Sequence, residues 1–350
     1  MGGLEISKRK TQKVNVRRAL ATVALVLVIV GGIAAALFRE NLGEIYKAIV
    51  FADLKLVFLA VGLYFLEVLF WADRWRMALA AAGYTVGLKS LYLISHGGMF
   101  FSNITPISKS GGEPFRAYFI KKTQKIPYPT GFATILAEGL LTIPVVFGVL
   151  LAGAVLWLHM QSPPIWLVVA VIGVLVFMLV ALPALAYRLI KRKTASKSIF
   201  RMIRGVTGLF GRKTDEKKIA RSLNRFYAST QMVMRDKRKA AAISAIALSL
   251  YLMSIVRIWV ILFALGWQAP PAAPLLAATA PLLAGLIPFL PGGLLIIEAS
   301  MTAVFIACGI PLIIAISATL VERAISYVLS TLAGAVAVSY LGVKIWKASW

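Results

Sequence analysis

Apolar runs of about 20 residues recur along this chain, and in a helix that length matches the roughly 30 Å hydrocarbon core of a bilayer. Spans are expected at 20–38, 54–72, 128–158, 165–187, 240–266 and 312–343. Composition agrees, with 60% hydrophobic and 15% charged side chains against roughly 45–50% and 25% in soluble domains. A water-soluble domain is excluded, and the expected fold is an all-α polytopic membrane protein of about six transmembrane helices. Arg17 and Arg18 before the first run, and Ala34 to Ala36 near its end, imitate a signal peptide. The run exceeds the roughly 7–15 residues of a signal core, so it reads as a retained anchor.

Two apolar segments break the scheme. Residues 91–105 and 274–290 are short, carry Gly, Pro or polar residues, and each runs into a Gly-Gly pair. Irregular backbone at membrane depth persists only where protein or a water-filled cavity satisfies its polar groups. Both segments are therefore expected to be re-entrant hairpins, with a short, distorted full span as the alternative.

The net charge of +25 raises nucleic acid as a partner, but its placement explains it otherwise. The basic tail 1–18, the segments 73–89, 109–125 and 344–350, and the loop 188–239 fall on one side of a six-span chain and hold 33 of the 38 bases. On the other side, Arg39, Lys47 and Lys55 balance Glu40, Glu44 and Asp53. Positive segments stay inside, which makes both termini cytoplasmic, in the cell membrane. The loop 188–239 alternates bases with apolar positions at helical spacing, including Ile219, Leu223, Phe226 and Val233, as suits helices on an anionic leaflet. No nucleic-acid partner is expected. Trp71, Trp75, Trp157, Trp166, Trp267, Trp346 and Trp350 sit near expected span ends and read as interfacial belts.

An ordered set of residues occurs twice. Pro106, Gly111-Gly112, Ile126-Pro127 and Glu138 are matched by Pro288 and Pro291, Gly292-Gly293, Ile310-Pro311 and Glu322. The offset is 181 residues at the Gly pair and 184 at the Pro and Glu positions. Repeat one covers about 54–158 and repeat two about 240–343, within a single membrane domain, 19–350. Three expected crossings separate the copies, so the second is expected upside down, an arrangement that builds a midplane site reachable from either face. Glu138 and Glu322 each lie eleven residues past a proline, about 16 Å along a helix and near the bilayer centre.

Ionisable side chains at that depth are candidates for function. They are Glu67, Glu138, Arg257, Glu298, Glu322 and Arg323. Pairing of Glu322 or Glu298 with Arg257 or Arg323 would be structural, and Glu67, close to Asp73 and Arg74, also suits the interface. Glu138 has no basic neighbour on its own span and reads as the stronger substrate or proton site. In Ser108–Arg116, Gly111 and Gly112 free the backbone, Glu113 and Pro114 suit a helix start, and Lys109 and Arg116 would flank an anion there. A plain loop followed by an interfacial helix is the alternative. A single cysteine, Cys308, and two histidines exclude a disulfide and a zinc-type cluster, and no nucleotide loop is present. No cofactor is expected.

The run Asn103-Ile104-Thr105-Pro106, then Ser110-Gly111-Gly112-Glu113 with Arg116, Leu136-Ala137-Glu138, and later Pro291-Gly292-Gly293, Glu298 and Val321-Glu322-Arg323, resembles the lysylphosphatidylglycerol synthase transmembrane-region family of flippase-like proteins. The resemblance covers roughly 20–345 and implies a lipid flippase fold, here as a stand-alone membrane region without the soluble aminoacyl transferase of two-domain members. Two departures stand out: Glu138 is followed by Gly139 where Glu322 is followed by Arg323, and the second Gly pair is followed by Leu294, with Glu298 four residues on.

The expected function is a membrane lipid translocator, not an enzyme, moving a phospholipid or polyprenyl-linked headgroup across the cytoplasmic membrane. Candidate substrate residues are Lys109, Gly111, Gly112, Glu113, Arg116, Glu138, Arg257, Gly292, Gly293, Glu298, Glu322 and Arg323. With no ATP motif, movement would follow a gradient, run downhill or depend on another protein. The alternatives are a membrane enzyme of lipid headgroup modification and an accessory subunit that docks a lipid-modifying enzyme or cell-envelope glycosyltransferase.

Overall fold

The computed structural model describes residues 41–105, 111–161, 216–284 and 291–347, with single helical positions at 165, 169, 172, 173, 176 and 180. The expected span 20–38, most of 165–187 and 188–215, and Lys109, lie outside the described residues. Among the described residues there is no strand. The helices are α1 (Leu42–Val50), α2 (Leu54–Ala81), α3 (Leu88–Ile104), α4 (Glu113–Gln124), α5 (Tyr128–Gln161), α6 (Glu216–Arg235), α7 (Lys237–Ala264), α8 (Ala272–Ala284), α9 (Ile296–Ala307), α10 (Leu312–Arg323) and α11 (Ser330–Lys347). A π-helical turn, Ala324–Leu329, joins α10 to α11. Among the described residues four helices are long and apolar enough to cross a bilayer: Leu54–Ala81, Tyr128–Met160, Lys237–Ala264 and Leu312–Val343.

The first of these corrects the expected span 54–72, because α2 runs nine residues further through Asp73, Arg74 and Arg76. Charged residues reading as a cytoplasmic flank are helix, and buried ion pairing, shown below, is what lets Arg74 continue it.

α2 and α7 are built alike. Each has 28 residues, and each follows an aspartate whose side chain accepts a backbone N–H, Asp53 from Lys55 and Asp236 from Lys239. That hydrogen bond occupies a donor the helix start leaves over, and at Asp236 it holds the carboxyl below its usual range. Both helices end at a glycine in the left-handed region, Gly83 at φ 87° and Gly266 at φ 73°. The next N–H then closes back on the helix, Tyr84 to the carbonyl of Leu79 and Trp267 to that of Leu262. The two aspartates, the two glycines and the residues of the closing hydrogen bonds each stand 183 residues from their counterparts, and the lysine donors 184.

The packing repeats the correspondence. α2 lies along α7. α3 packs on α11, and α8 on α5; α1 packs on α10, and α6 on α5. α3 and α8 thus each lean on a long span of the other half. Two apolar clusters result, one centred on Trp75, Phe100 and Ile120, the other on Ile261, Ile297 and Phe305.

Segment 91–105 falls on α3, and residues 274–284 of the second segment fall on α8, while 285–290 lie outside the described residues. α3 is 17 residues and α8 13, each shorter than the four spans. The start of α4 lies against α3: a Cβ on Gly112 would collide with the Gly98 carbonyl oxygen, so the two backbones touch as only glycine permits. In the second half, Gly292 has φ 60° and supports the Tyr327 ring, which a Cβ would meet at 2.3 Å. Past its carboxylate, each long span loses regular α pairing. α5 carries Pro144 internally, and the other span has the π turn.

Candidate functional site

The charged residues gather into two clusters, each held by one ion pair joining equivalent positions. Arg74, on α2, donates from Nε to Glu138 Oε2 on α5 at 3.4 Å. Arg257, on α7, donates from Nη1 to Glu322 Oε1 on α10 at 3.1 Å. The arginines stand 183 positions apart and the glutamates 184. Arg74 was absent from the sequence-derived site, since a charge just beyond an apolar run reads as interfacial. The offset of 183 residues to Arg257 was the signal that could have found it.

Each pair gains a third member of opposite sign. Glu138 also accepts from Arg116 Nη2 at 3.0 Å, so one carboxylate is shared by two guanidiniums. Arg257 also donates from Nε to Glu67 at 2.9 Å, so one guanidinium is shared by two carboxylates. Glu67 is therefore paired with a distant helix. All four central groups are buried, Glu138 and Arg116 each at 1% exposure. A buried charge survives in such surroundings only when paired and hydrogen-bonded.

Arg116 is also clamped between two indoles. Its Cζ lies 4.4 Å from the Trp71 ring centroid and 4.3 Å from that of Trp75. Its Nε has no hydrogen-bond partner, leaving the ring faces to supply attraction there. Trp75 is fully buried and donates from Nε1 to Thr134 Oγ1 at 3.1 Å. Trp157 donates to the carbonyl of Ala307 at 2.7 Å from a buried position. These tryptophans correct the expectation of interfacial belts: one turn apart on α2, Trp71 and Trp75 present one face to α4, where a buried cation needs them.

Next to the second triad, Arg323 donates from Nε to Glu298 Oε1 at 2.5 Å and from Nη2 to the Gly292 carbonyl. The two departures noted in the repeat are thereby connected. Glu298 on α9 needs a cation and finds it in Arg323, whereas Arg116 on α4 needs an anion and finds it in Glu138, leaving Gly139 no charge to meet.

A cavity of about 380 Å³ lies between the halves, walled by α2, α3, α7, α8, α9, α10 and the start of α4. Glu67, Glu113, Arg257, Glu322 and Arg323 line it, with Ser254, Ser326, Ser330, Tyr64 and Tyr251. Gly292 is in its wall, while Arg116, Glu138 and Glu298 are not. Of the expected substrate residues, the structure brings Glu113, Arg257, Gly292, Glu322 and Arg323 to one cavity. It sets Gly111, Gly112, Arg116 and Glu138 behind it and leaves Gly293 and Glu298 in the adjoining turn and helix. Among the described residues no group of three His, Cys, Asp or Glu side chains is gathered to hold a metal ion.

Asn103, at the end of α3, fastens one half to the other. Its Nδ2 donates to Ser330 Oγ and Thr331 Oγ1, each at 2.8 Å, and to the Tyr327 carbonyl at 3.3 Å. The Tyr327 hydroxyl donates back to the Asn103 carbonyl at 3.1 Å. The Tyr327 carbonyl, inside the π turn, also accepts from the Ser330 and Thr331 hydroxyls. α6, expected on the leaflet surface, packs part of its apolar face on α5 through Phe226 beside Phe132 and through buried Tyr227 and Val233.

The chain is similar to proteins called "UPF0104 membrane protein" in three archaea. That of Methanothermobacter thermautotrophicus is 29% identical over 91% of this chain and 96% of its own length. Those of Methanocaldococcus jannaschii and Pyrococcus horikoshii are 25% and 27% identical over 88% and 83% of this chain, and 91% and 89% of theirs. The model of the lysylphosphatidylglycerol synthase TM region matches residues 19–334. This multi-pass integral membrane protein belongs to the lysylphosphatidylglycerol synthase TM region family.

Proposed function

We propose that the protein moves a polar lipid headgroup across the cytoplasmic membrane through the cavity between its halves, with both termini on the cytoplasmic side. The observation that carries this reading is a cavity of about 380 Å³ lined by both signs of charge within an otherwise apolar bundle. Such a lining suits a headgroup that brings its own charges and hydrogen bonds, while its acyl chains stay in lipid. Arg257 and Arg323 supply guanidinium donors for a phosphate. Glu67, Glu113 and Glu322 supply acceptors for hydroxyl or amine groups. The sealed Arg74–Glu138–Arg116 triad holds the wall behind them.

An inverted repeat with two re-entrant hairpins would let that site face either side in turn. The matched caps of α2 and α7, the matched ion pairs and the exchanged packing of short helices support it. Thr85 and Gln268, both exposed just past those helices, are equivalent positions 183 residues apart. With Cys308→Ser as background, cysteines at the two positions should react with a membrane-impermeant maleimide from opposite faces of oriented vesicles. Labelling from the same face would rule out the inversion.

The transport reading is tested with purified protein in vesicles of phosphatidylethanolamine and phosphatidylglycerol containing a fluorescent phosphatidylglycerol. Exchange between leaflets is expected above the protein-free rate. Ser254→Trp, which puts an indole into the cavity, should slow it at least about tenfold, equivalent to ~1.4 kcal/mol of barrier. Leu332→Trp, on an exposed face, should not. Exchange no faster than in empty vesicles would sink the proposal.

A further inference from the structure

From the charge count and the cavity wall, we infer that Glu113 is a proton-binding group, carrying one proton between the aqueous phase and the cavity. The interior network of described residues has five carboxylates, Glu67, Glu113, Glu138, Glu298 and Glu322, and four guanidiniums, Arg74, Arg116, Arg257 and Arg323. Among these described residues one negative charge is left over, in a region where an uncompensated charge is costly. Four of the carboxylates lie within 3.4 Å of a guanidinium nitrogen. The fifth, Glu113, makes no ion pair or hydrogen bond with another described residue, and it lines the cavity.

The described charges around it are already committed. Arg116, one turn along α4, is committed to Glu138 and the two indoles, and Arg74 on α2 to Glu138 and Thr142. Across the cavity, Glu67 and Glu322 are bound by Arg257, Arg323 by Glu298, and Tyr251 of α7 brings a neutral phenol. The start of α4 favours an anion at Glu113, but partial charges of a helix end do not cancel a full one. Proton uptake does: water in the cavity delivers H⁺ to the carboxylate oxygen, one O–H bond forms, and this network of described residues becomes neutral. Release to water on the other side breaks the same bond and restores the anion. A monovalent cation of that kind is a driving ion for a site that exchanges sides, and this second step rests on the lipid-translocation reading.

Infrared difference spectroscopy of the purified protein tests the binding itself, without transport. As pH falls, wild type should gain the C=O band of a protonated carboxylic acid; Glu113→Gln should lose that band, and Glu113→Asp should keep it at a shifted frequency. His96→Gln should keep it as well, which separates Glu113 from the buried imidazole on α3. In vesicles, lipid exchange by wild type should vary with pH by up to about tenfold per unit, the limit for one titrating site, and exchange by Glu113→Gln should be flat. An unchanged band in Glu113→Gln overturns the assignment, as does a response to sodium with no carboxylic acid band. A lost band with no lipid exchange in wild type would keep the proton site and discard the transport reading.

Discussion

Arg257→Ala is expected to cost about 3–5 kcal/mol, because it strips the shared cation from two carboxylates at once, one buried and one half-buried. Glu67 and Glu322 would then face one another across the position the guanidinium held, at 16% and 8% side-chain exposure. A loss of that size is a large share of the roughly 5–15 kcal/mol that holds a typical domain. Thermal unfolding in detergent, followed by the loss of the monodisperse chromatographic peak, should show a much lower midpoint. The compensating variant is Arg257→Met with Glu67→Gln and Glu322→Gln. It removes every charge of the triad together, and should recover most of the midpoint, since the penalty lies in the unpaired charges. A melting point for Arg257→Ala equal to wild type would show that water reaches the triad freely.

The mirror experiment is Glu138→Gln. Here one anion serves two cations, so its removal leaves Arg74 and Arg116 close together at 9% and 1% exposure. A loss of about 3–5 kcal/mol is again expected, read by the same thermal assay. Adding Arg116→Met should return part of it, at the expense of the clamp that Trp71 and Trp75 make around the guanidinium. A midpoint for Glu138→Gln equal to wild type would show that water, and not the carboxylate, compensates the two arginines. The two variants also differ in kind: Arg257 is in the cavity wall and Glu138 is behind it. Arg257→Ala should therefore change lipid selectivity in surviving protein, and Glu138→Gln only its amount.

The membrane architecture was legible because apolar length is a one-dimensional signal. Four of the expected spans match helices to within about a turn or two at most ends, and the pairings of Glu322 and Glu298 with arginines were foreseen as a structural option. What the sequence obscured were the partners supplied by tertiary packing. Arg74 lies at the end of an apolar run, so it counted as flank, and Glu138 looked unpartnered because its arginines come from α2 and α4. Trp71 and Trp75 looked interfacial for the same reason. Spacing along one helix does not reveal which other helix presents a cation, and only the 183-residue register shared by Arg74 and Arg257 carried that information.

Pro144 and the π turn Ala324–Leu329 have a mechanical consequence. Proline removes one rung of the helical ladder, and a π turn replaces several rungs with longer ones. Pro144 comes six residues after Glu138, and the π turn begins two after Glu322. Each long span is stiff through its carboxylate and compliant just past it, like a lever pinned at one end with its joint beside the pin. Bending at those joints would swing α11, and the distal part of α5, without pulling either ion pair apart. The charged centre then serves as the fixed bearing, and motion belongs to the apolar arms.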